Sequence, residues 1–295
     1  MFAFFRKIPP RQRAGYWFIL PCLAVTTVFF LVPLLMTVWM SLNQWPLLGQ
    51  PSFAGLQNYL DLLQDKSFWS SLGFTATYTL VVTPAIFLFA FGLALLVHRK
   101  VRFVGVFRTA FFLPVVIGMT SASLLWTWMF NDQVGIFSAV LMDLGVIDEP
   151  VLWLGETSSA LASIVVMVLW KAAGFTMVIL LVGMQAIPQD LYEAAKLDGA
   201  TWWGQIRYIT VPLMRRTFAL ALTMSVIGSF LAFEQFFVMT RGGPFNSTIT
   251  IVHWIYRASF TYFKLGYGAA MSVVLLLILL ALSVLQMYLL RDGND

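Results

Sequence analysis

Six stretches of this chain are each about as long as the ~20 apolar residues needed to cross a hydrocarbon layer of about 30 Å. They cover residues 15–41, 72–97, 109–130, 160–185, 217–240 and 267–290. In lipid, backbone N–H and C=O groups find no water, so each crossing is expected to be helical. The fold class that follows is an all-α integral membrane protein with six transmembrane helices. Composition agrees: of 295 residues, 60% are apolar and only 11% charged, against roughly a quarter charged in soluble domains. Pro21, Pro33, Pro84 and Pro114 fall inside the runs, and kinks are expected there.

The net charge of +5 does not point to nucleic acid, because the basic residues form short clusters between apolar runs. Arg6, Lys7, Arg11 and Arg13 precede the first run, and Arg99, Lys100, Arg102 and Arg108 lie around the second connection. Lys196, Arg207, Arg215 and Arg216 occupy the fourth, and Arg291 follows the last run. The alternate connections hold only Lys66, Arg241, Arg257 and Lys264, beside Asp61, Asp65, Asp132, Asp143, Asp148, Glu149 and Glu156. Lys and Arg concentrate on the cytoplasmic side of a membrane protein, so both termini are expected to be cytoplasmic. The first run is too long for a secretory signal and lacks a small-residue cleavage site, so it reads as a retained helix. The single cysteine, Cys22, excludes a disulfide within the chain and reads as a packing residue. No linker, low-complexity tract or short repeat divides the sequence, and a single membrane domain over residues 1–295 is expected.

The connections hold the remaining information. Residues 51–71, with Asn58, Tyr59, Asp61, Leu62, Leu63 and Phe68, read as a short amphipathic helix at the interface, either a spacer or a docking element. Arg241-Gly242-Gly243-Pro244 signals a sharp turn after the fifth run. The fourth connection, residues 186–216, is long for its place. Good helix formers fill 191–197, Asp198-Gly199 ends that helix, and Thr201 caps a second helix over 202–210 that is expected to end before Pro212. Ala194 and Ala195 permit close approach, and Glu193 and Asp198 offer fixed charges. Two readings stand for this helix-turn-helix: docking into a groove of another protein, or resting on the bilayer.

Lys171 and Glu234 lie inside runs, where ionisable side chains are costly and point to function. On a 100° wheel Ser225, Ser229 and Ala232 form one small, polar stripe, suited to a cavity wall or close packing, with Glu234 about 140° from Ser229. An ion-coupled secondary transporter is the alternative, with Glu234 its one intramembrane acid. A channel would show a filter or a ring of charges. His98 and His253 fall on opposite sides of the membrane, and no metal-ligand or nucleophile constellation suggests an enzyme.

Glu193-Ala194-Ala195-Lys196-Leu197-Asp198-Gly199-Ala200, followed by Ile209 and Pro212-Leu213, resembles the EAA motif of ABC importer permeases. Ala186-Ile187-Pro188 and Thr240-Arg241-Gly242-Gly243-Pro244 extend the resemblance to the carbohydrate-uptake branch, which includes the maltose and glycerol-phosphate permeases. Leu20-Pro21, Pro33-Leu34 and Gly55-Leu56-Gln57-Asn58-Tyr59 resemble the first of the two permeases such systems encode. The resemblance implies a type I importer permease fold in a bacterial-type plasma membrane, with Glu193, Ala194, Ala195, Asp198 and Gly199 docking on a separate ATPase subunit. It further implies a second, homologous permease, a dimer of ATP-binding subunits carrying ATP and magnesium, and an extracytoplasmic solute-binding protein. The chain itself has no G-x-x-x-x-G-K-[ST] loop. By the same resemblance, solute contacts fall at Ala172 and Phe175 on the fourth helix and at Ser225, Gly228, Ser229 and Ala232 on the fifth, with Lys171 adjoining. Small side chains there, where amides would bind sugar hydroxyls, point away from a maltose-like solute, and Lys171 would favour a phosphate or carboxylate.

Overall fold

The computed structural model describes residues 10–98 and 103–289. Arg6, Lys7, Arg99, Lys100, Arg102 and Arg291, which carry part of the orientation argument, lie outside the described residues. Five helices are long and apolar enough to cross a membrane, and a sixth span exists if one bent pair is counted as a crossing. The chain divides into two compact units, one formed by Met1–Asp65 with Ile255–Leu276, the other by Lys66–Trp254 with Leu277–Asp295.

The first unit opens with α1 (Pro10–Thr26), a π-helical turn over Thr27–Leu31, and α2 (Val32–Ser41). Pro33 sits at the start of α2. Its ring cannot tolerate a close carbonyl four residues back, and the wider turn before it, closed by the Val32 N–H on the Thr27 carbonyl, relieves that clash. A two-residue ladder pairs β1 (Asn43–Gln44) with β2 (Ser52–Phe53), and α3 (Gln57–Gln64) follows. The surface helix expected over residues 51–71 is thus shorter, because Phe68 and its neighbours already belong to the second span. It is also anchored. Asn58 is buried and donates to the Ser41 and Asn43 carbonyls at 2.8 and 3.0 Å, while the Tyr59 and Ser41 hydroxyls meet at 2.6 Å. None of the apolar window of the first span is buried within the chain. Such a face requires lipid or another subunit as its surroundings.

The second unit is built on two long helices, α4 (Lys66–His98) and α8 (Thr157–Gln185). One core cluster joins Tyr78, Val82, Trp126, Phe130, Ile164 and Phe236; another joins Ala90, Leu93, Met177, Leu180, Met184 and Met214. The third run does not form a straight crossing. It is split into α5 (Val104–Val116) and α6 (Met119–Met129), which meet at 96°. Ile117 and Gly118 are both extended and break the helix between them. Beyond α6 lies α7 (Ile136–Asp143). Close packing of α5 on α8 depends on Gly174, where an added Cβ would collide with the Phe111 carbonyl.

After α8 come α9 (Gln189–Leu197), α10 (Trp202–Gln205), a π-helical turn over Ile206–Thr210, and α11 (Val211–Leu213). The second loop helix therefore runs through Pro212 instead of ending before it. The π turn again precedes the proline, as at Pro33, and makes room for its ring. The fifth run is also interrupted. It comprises α12 (Arg215–Phe230) and α13 (Glu234–Met239), because the Thr250 hydroxyl donates to the Ala232 carbonyl at 2.7 Å and takes the acceptor that a continuing helix would use. The turn at Arg241-Gly242 is present, with φ of 51° and 85°, and is closed by the Gly243 N–H on the Thr240 carbonyl at 2.8 Å. Finally, α14 (Ile251–Tyr256) and a π turn over Arg257–Thr261 lead into α15 (Leu265–Leu289). The Tyr267 hydroxyl there donates to Asp65 Oδ2 at 2.6 Å within the first unit.

Candidate coupling loop and solute pathway

Pro188, in extended conformation, launches α9, whose first turn holds Asp190 and whose last holds Lys196, the signs that complement a helix dipole. The helix stops at Gly199, which takes φ of +79°, a value that favours glycine. The Gly199 N–H reaches the Lys196 carbonyl at 3.1 Å and the Ala200 N–H reaches Ala195 at 2.8 Å. That pair of bonds is the Schellman closure, and it fixes the chain's exit direction. Thr201 then caps α10, its Oγ1 accepting the Gly204 N–H at 3.2 Å. Two further bonds tie the halves together: the Tyr192 hydroxyl to Thr210 Oγ1 at 2.9 Å, and Gln205 Nε2 to the Ala200 carbonyl at 3.2 Å.

On this rigid corner Glu193, Ala194, Asp198 and Gly199 are exposed and Ala195 is half-buried. The structure therefore brings the five residues together on one helix and its turn. It adds Leu197, which the sequence reading did not single out although it stands within the motif. Leu197 is 89% exposed, an apolar side chain held away from the core. Its spacing from Leu191 and Ala194, both also exposed, places three apolar groups on one helical face, and that spacing was the available signal.

The residues assigned to a solute pathway separate into two sets. Phe175 and Gly228 are exposed, and Ala172 and Ser225 are half-buried. Ser229 and Ala232 are buried: Ser229 Oγ donates to the Ser225 carbonyl at 2.7 Å and lies 3.4 Å from Thr83 Oγ1 of α4. The stripe on the fifth helix thus packs at its Ser229 end and opens at Gly228. The wheel angle between Ser229 and Glu234 does not apply, since α12 ends at Phe230.

Lys171 and Glu234 take complementary posts at the 96° bend. Lys171 Nζ lies 2.5 Å from the Ile117 carbonyl, 3.4 Å from Val115 and 3.5 Å from Pro114. Three acceptors match the three N–H donors of an ammonium, and its positive charge suits the end of α5, where carbonyls lack helical partners. Glu234 Oε2 accepts from Thr120 Oγ1 at 2.7 Å, in the first turn of α6, where an anion is favoured. The two charges attract one another. A cation at the end of one half-helix and an anion at the start of the next offset what breaking the helix costs.

The comparisons with known proteins bear on this arrangement. Residues 66–292 match the family model described as binding-protein-dependent transport system inner membrane component. The trehalose/maltose transport system permease protein MalF of Thermococcus litoralis is 35% identical over 279 residues, covering 94% of this chain and 92% of its own length. The lactose transport system permease protein LacF of Rhizobium radiobacter is 33% identical over 284 residues, 94% of each chain. A probable ABC transporter permease protein of Bacillus subtilis, YurN, is 34% identical over 283 residues, 95% of this chain and 97% of its own. In fold, the chain matches a bacterial ABC transporter involved in the import of the acidic polysaccharide alginate, with a TM-score of 0.84 at 21% identity over 97% of both chains. This multi-pass chain, a transport component and not an enzyme, belongs to the family of binding-protein-dependent transport system inner membrane components, the permease subunits of ABC transporters.

Proposed function

We propose that this chain is one of two homologous permeases of an ATP-driven importer for a sugar or sugar-like solute, in a bacterial-type inner membrane. Residues 186–216 form the coupling loop of a single permease domain over residues 1–295, and the termini are cytoplasmic. The names of its relatives, transporters of trehalose, maltose and lactose, support the solute class. The observation that carries the coupling role is the projecting corner of α9: Glu193, Ala194, Leu197, Asp198 and Gly199 stand exposed on a helix whose end is fixed by the Schellman closure. A preformed, exposed helix end with apolar and acidic groups suits a groove on a partner, since little ordering cost remains on docking.

In this reading a dimer of ATP-binding subunits holds ATP and magnesium and receives α9. Its closure tilts the paired permeases outward, where an extracytoplasmic binding protein delivers solute, and hydrolysis returns them inward. Phe175 and Gly228 face the pathway with Ala172 and Ser225 beside them, while Lys171, Ser229 and Ala232 set the positions of the helices that line it. The ion-coupled alternative loses its footing, because the Glu234 carboxylate is engaged by Thr120 and the family is an ABC one.

The test is uptake of labelled sugars and glycerol phosphates in vesicles carrying all subunits, comparing wild type with Glu193→Ala plus Gly199→Pro. ATP-dependent uptake that the double substitution abolishes, in a complex that still inserts, supports the reading. Uptake that persists without ATP, or without the ATP-binding subunit, overturns it.

A further inference from the structure

Two adjoining cavities in the second unit form a composite site beside the coupling loop. One, of about 580 Å³, lies where the ends of α4, α5 and α8 meet α9. Its polar wall presents His98, Arg108 and Lys196 with Gln185, Gln189 and Gln205, and among the described residues lining it none is acidic. Arg108 donates through Nη2 to the Val97 carbonyl at 2.8 Å, while its Nε is buried with no partner among the described residues. A wall that carries the Arg108 and Lys196 cations and, among the described residues, no acid suits an anion with several acceptor oxygens.

The second cavity, of about 440 Å³, is apolar and follows α4 along Leu88, Phe89, Gly92 and Leu96. It shares Leu95 and Trp202 with the first. Leu88 and His98 stand about ten residues apart on one helix, or ~15 Å, half of a hydrocarbon core of about 30 Å. An apolar groove one leaflet deep, ending in a basic pocket beside a tryptophan, has the dimensions and the polarity of a single membrane lipid.

We infer that this composite site binds an anionic glycerophospholipid, its phosphate seated between Arg108 and Lys196 and an acyl chain lying along Leu88–Leu96 of α4. A soluble phosphate would leave the groove without an occupant, and a zwitterionic lipid would leave the basic wall uncompensated. Because Arg108 belongs to α5 and Lys196 to α9, the headgroup bridges a membrane helix and the helix bearing the EAA motif. The bound lipid thereby holds the coupling loop against the spans. This inference rests on the membrane reading of the chain and is independent of which solute is carried.

The experiment uses the assembled transporter reconstituted in bilayers of equal phosphatidylglycerol and phosphatidylcholine, then extracted, with retained lipid measured by mass spectrometry. Wild type is expected to retain phosphatidylglycerol selectively. Arg108→Gln with Lys196→Gln should lower that selectivity roughly ten- to thirty-fold, the loss expected for two basic side chains at an anionic surface. Arg207→Gln, a charge change in the same loop but outside the cavity, should leave it unchanged. Gly92→Trp places an indole in the groove, where a Cβ meets nothing within 4 Å, and should expel the lipid with the basic pocket intact. Should the double variant fail to assemble, Gly92→Trp decides by the same readout. Equal retention of both lipids by wild type overturns the inference. So does displacement of phosphatidylglycerol by millimolar inorganic phosphate, which marks a free-anion site, or crosslinking of a photoreactive residue at Leu96 to the second permease and not to lipid. Retention is read without ATP, so its failure leaves the coupling test standing, and the converse holds.

Discussion

Lys171 and Glu234 are residues whose sequence position marks them as costly, while the partners that hold them come from elsewhere in the chain. A lone lysine in an apolar run invites a role toward an anionic solute, yet its ammonium is engaged by the carbonyls of Pro114, Val115 and Ile117. Those acceptors lie more than fifty residues away, and although Pro114 signals a kink in their helix, nothing around Lys171 in the sequence announces that it would meet the carbonyls there. Lys171→Met should leave the carbonyls without a donor and Glu234 without its countercharge. The expected cost is about 1–3 kcal/mol, read as a lower unfolding temperature of the solubilised complex, with Lys171→Arg recovering much of it and the KM for uptake unchanged. A large rise in KM at constant unfolding temperature would reassign Lys171 to the solute. Gly199 is the opposite case, legible because a left-handed cap is a local requirement. Gly199→Ala should cost ~1–2 kcal/mol and weaken capture of the ATP-binding subunit, while Gly199→Asn should be milder; a pull-down of that subunit distinguishes them.

Helices were legible as far as apolar length defines them. The second, fourth and sixth runs appear as Lys66–His98, Thr157–Gln185 and Leu265–Leu289, extended by a few residues into polar flanks that hydropathy undercounts. Hydropathy is a scalar and carries no direction, so it could not foresee that the third run turns by 96° at Ile117 and Gly118 or that the fifth, still one span over Arg215–Met239, is interrupted after Phe230. Both breaks are held by side chains from other elements, Lys171 in one case and Thr250 in the other. The bent pair is positioned by the approach of α5 to α8 at Gly174. Gly174→Val should drive the Phe111 backbone away, costing at least the ~1–3 kcal/mol of an overpacked contact. Gly105→Val, on the same α5 but with nothing within 4 Å of its Cβ, should be tolerated. Recovery of folded permease in a size-exclusion profile reports the difference; equal recovery of both would mean that α5 and α8 are not in register as described.

At the scale of the whole molecule the bent pair decides between five and six crossings, and labelling chemistry reads that number together with orientation. Cys22 is the single cysteine, so Cys22→Ser supplies a cysteine-free chain. Leu48, Tyr208 and Phe245 are exposed and lie in the first, fourth and fifth inter-span connections. If Val104–Val116 and Met119–Met129 together make one crossing, there are six, and Leu48 and Phe245 fall on the same side with Tyr208 opposite. If the pair enters and leaves by one face, there are five crossings, Leu48 joins Tyr208, and Phe245 lies opposite both. The segregation of Lys and Arg adds which side is which, since the connection bearing Tyr208 is the basic one. A membrane-impermeant maleimide applied to intact cells should therefore modify Leu48→Cys and Phe245→Cys and spare Tyr208→Cys until the membrane is opened. Labelling of Tyr208→Cys alone would invert the orientation and remove the coupling loop from the compartment that holds ATP. Labelling of Leu48→Cys with Tyr208→Cys, or of Phe245→Cys alone, would show that the bent pair is re-entrant. The predicted pattern requires both the charge argument and the bent crossing to hold.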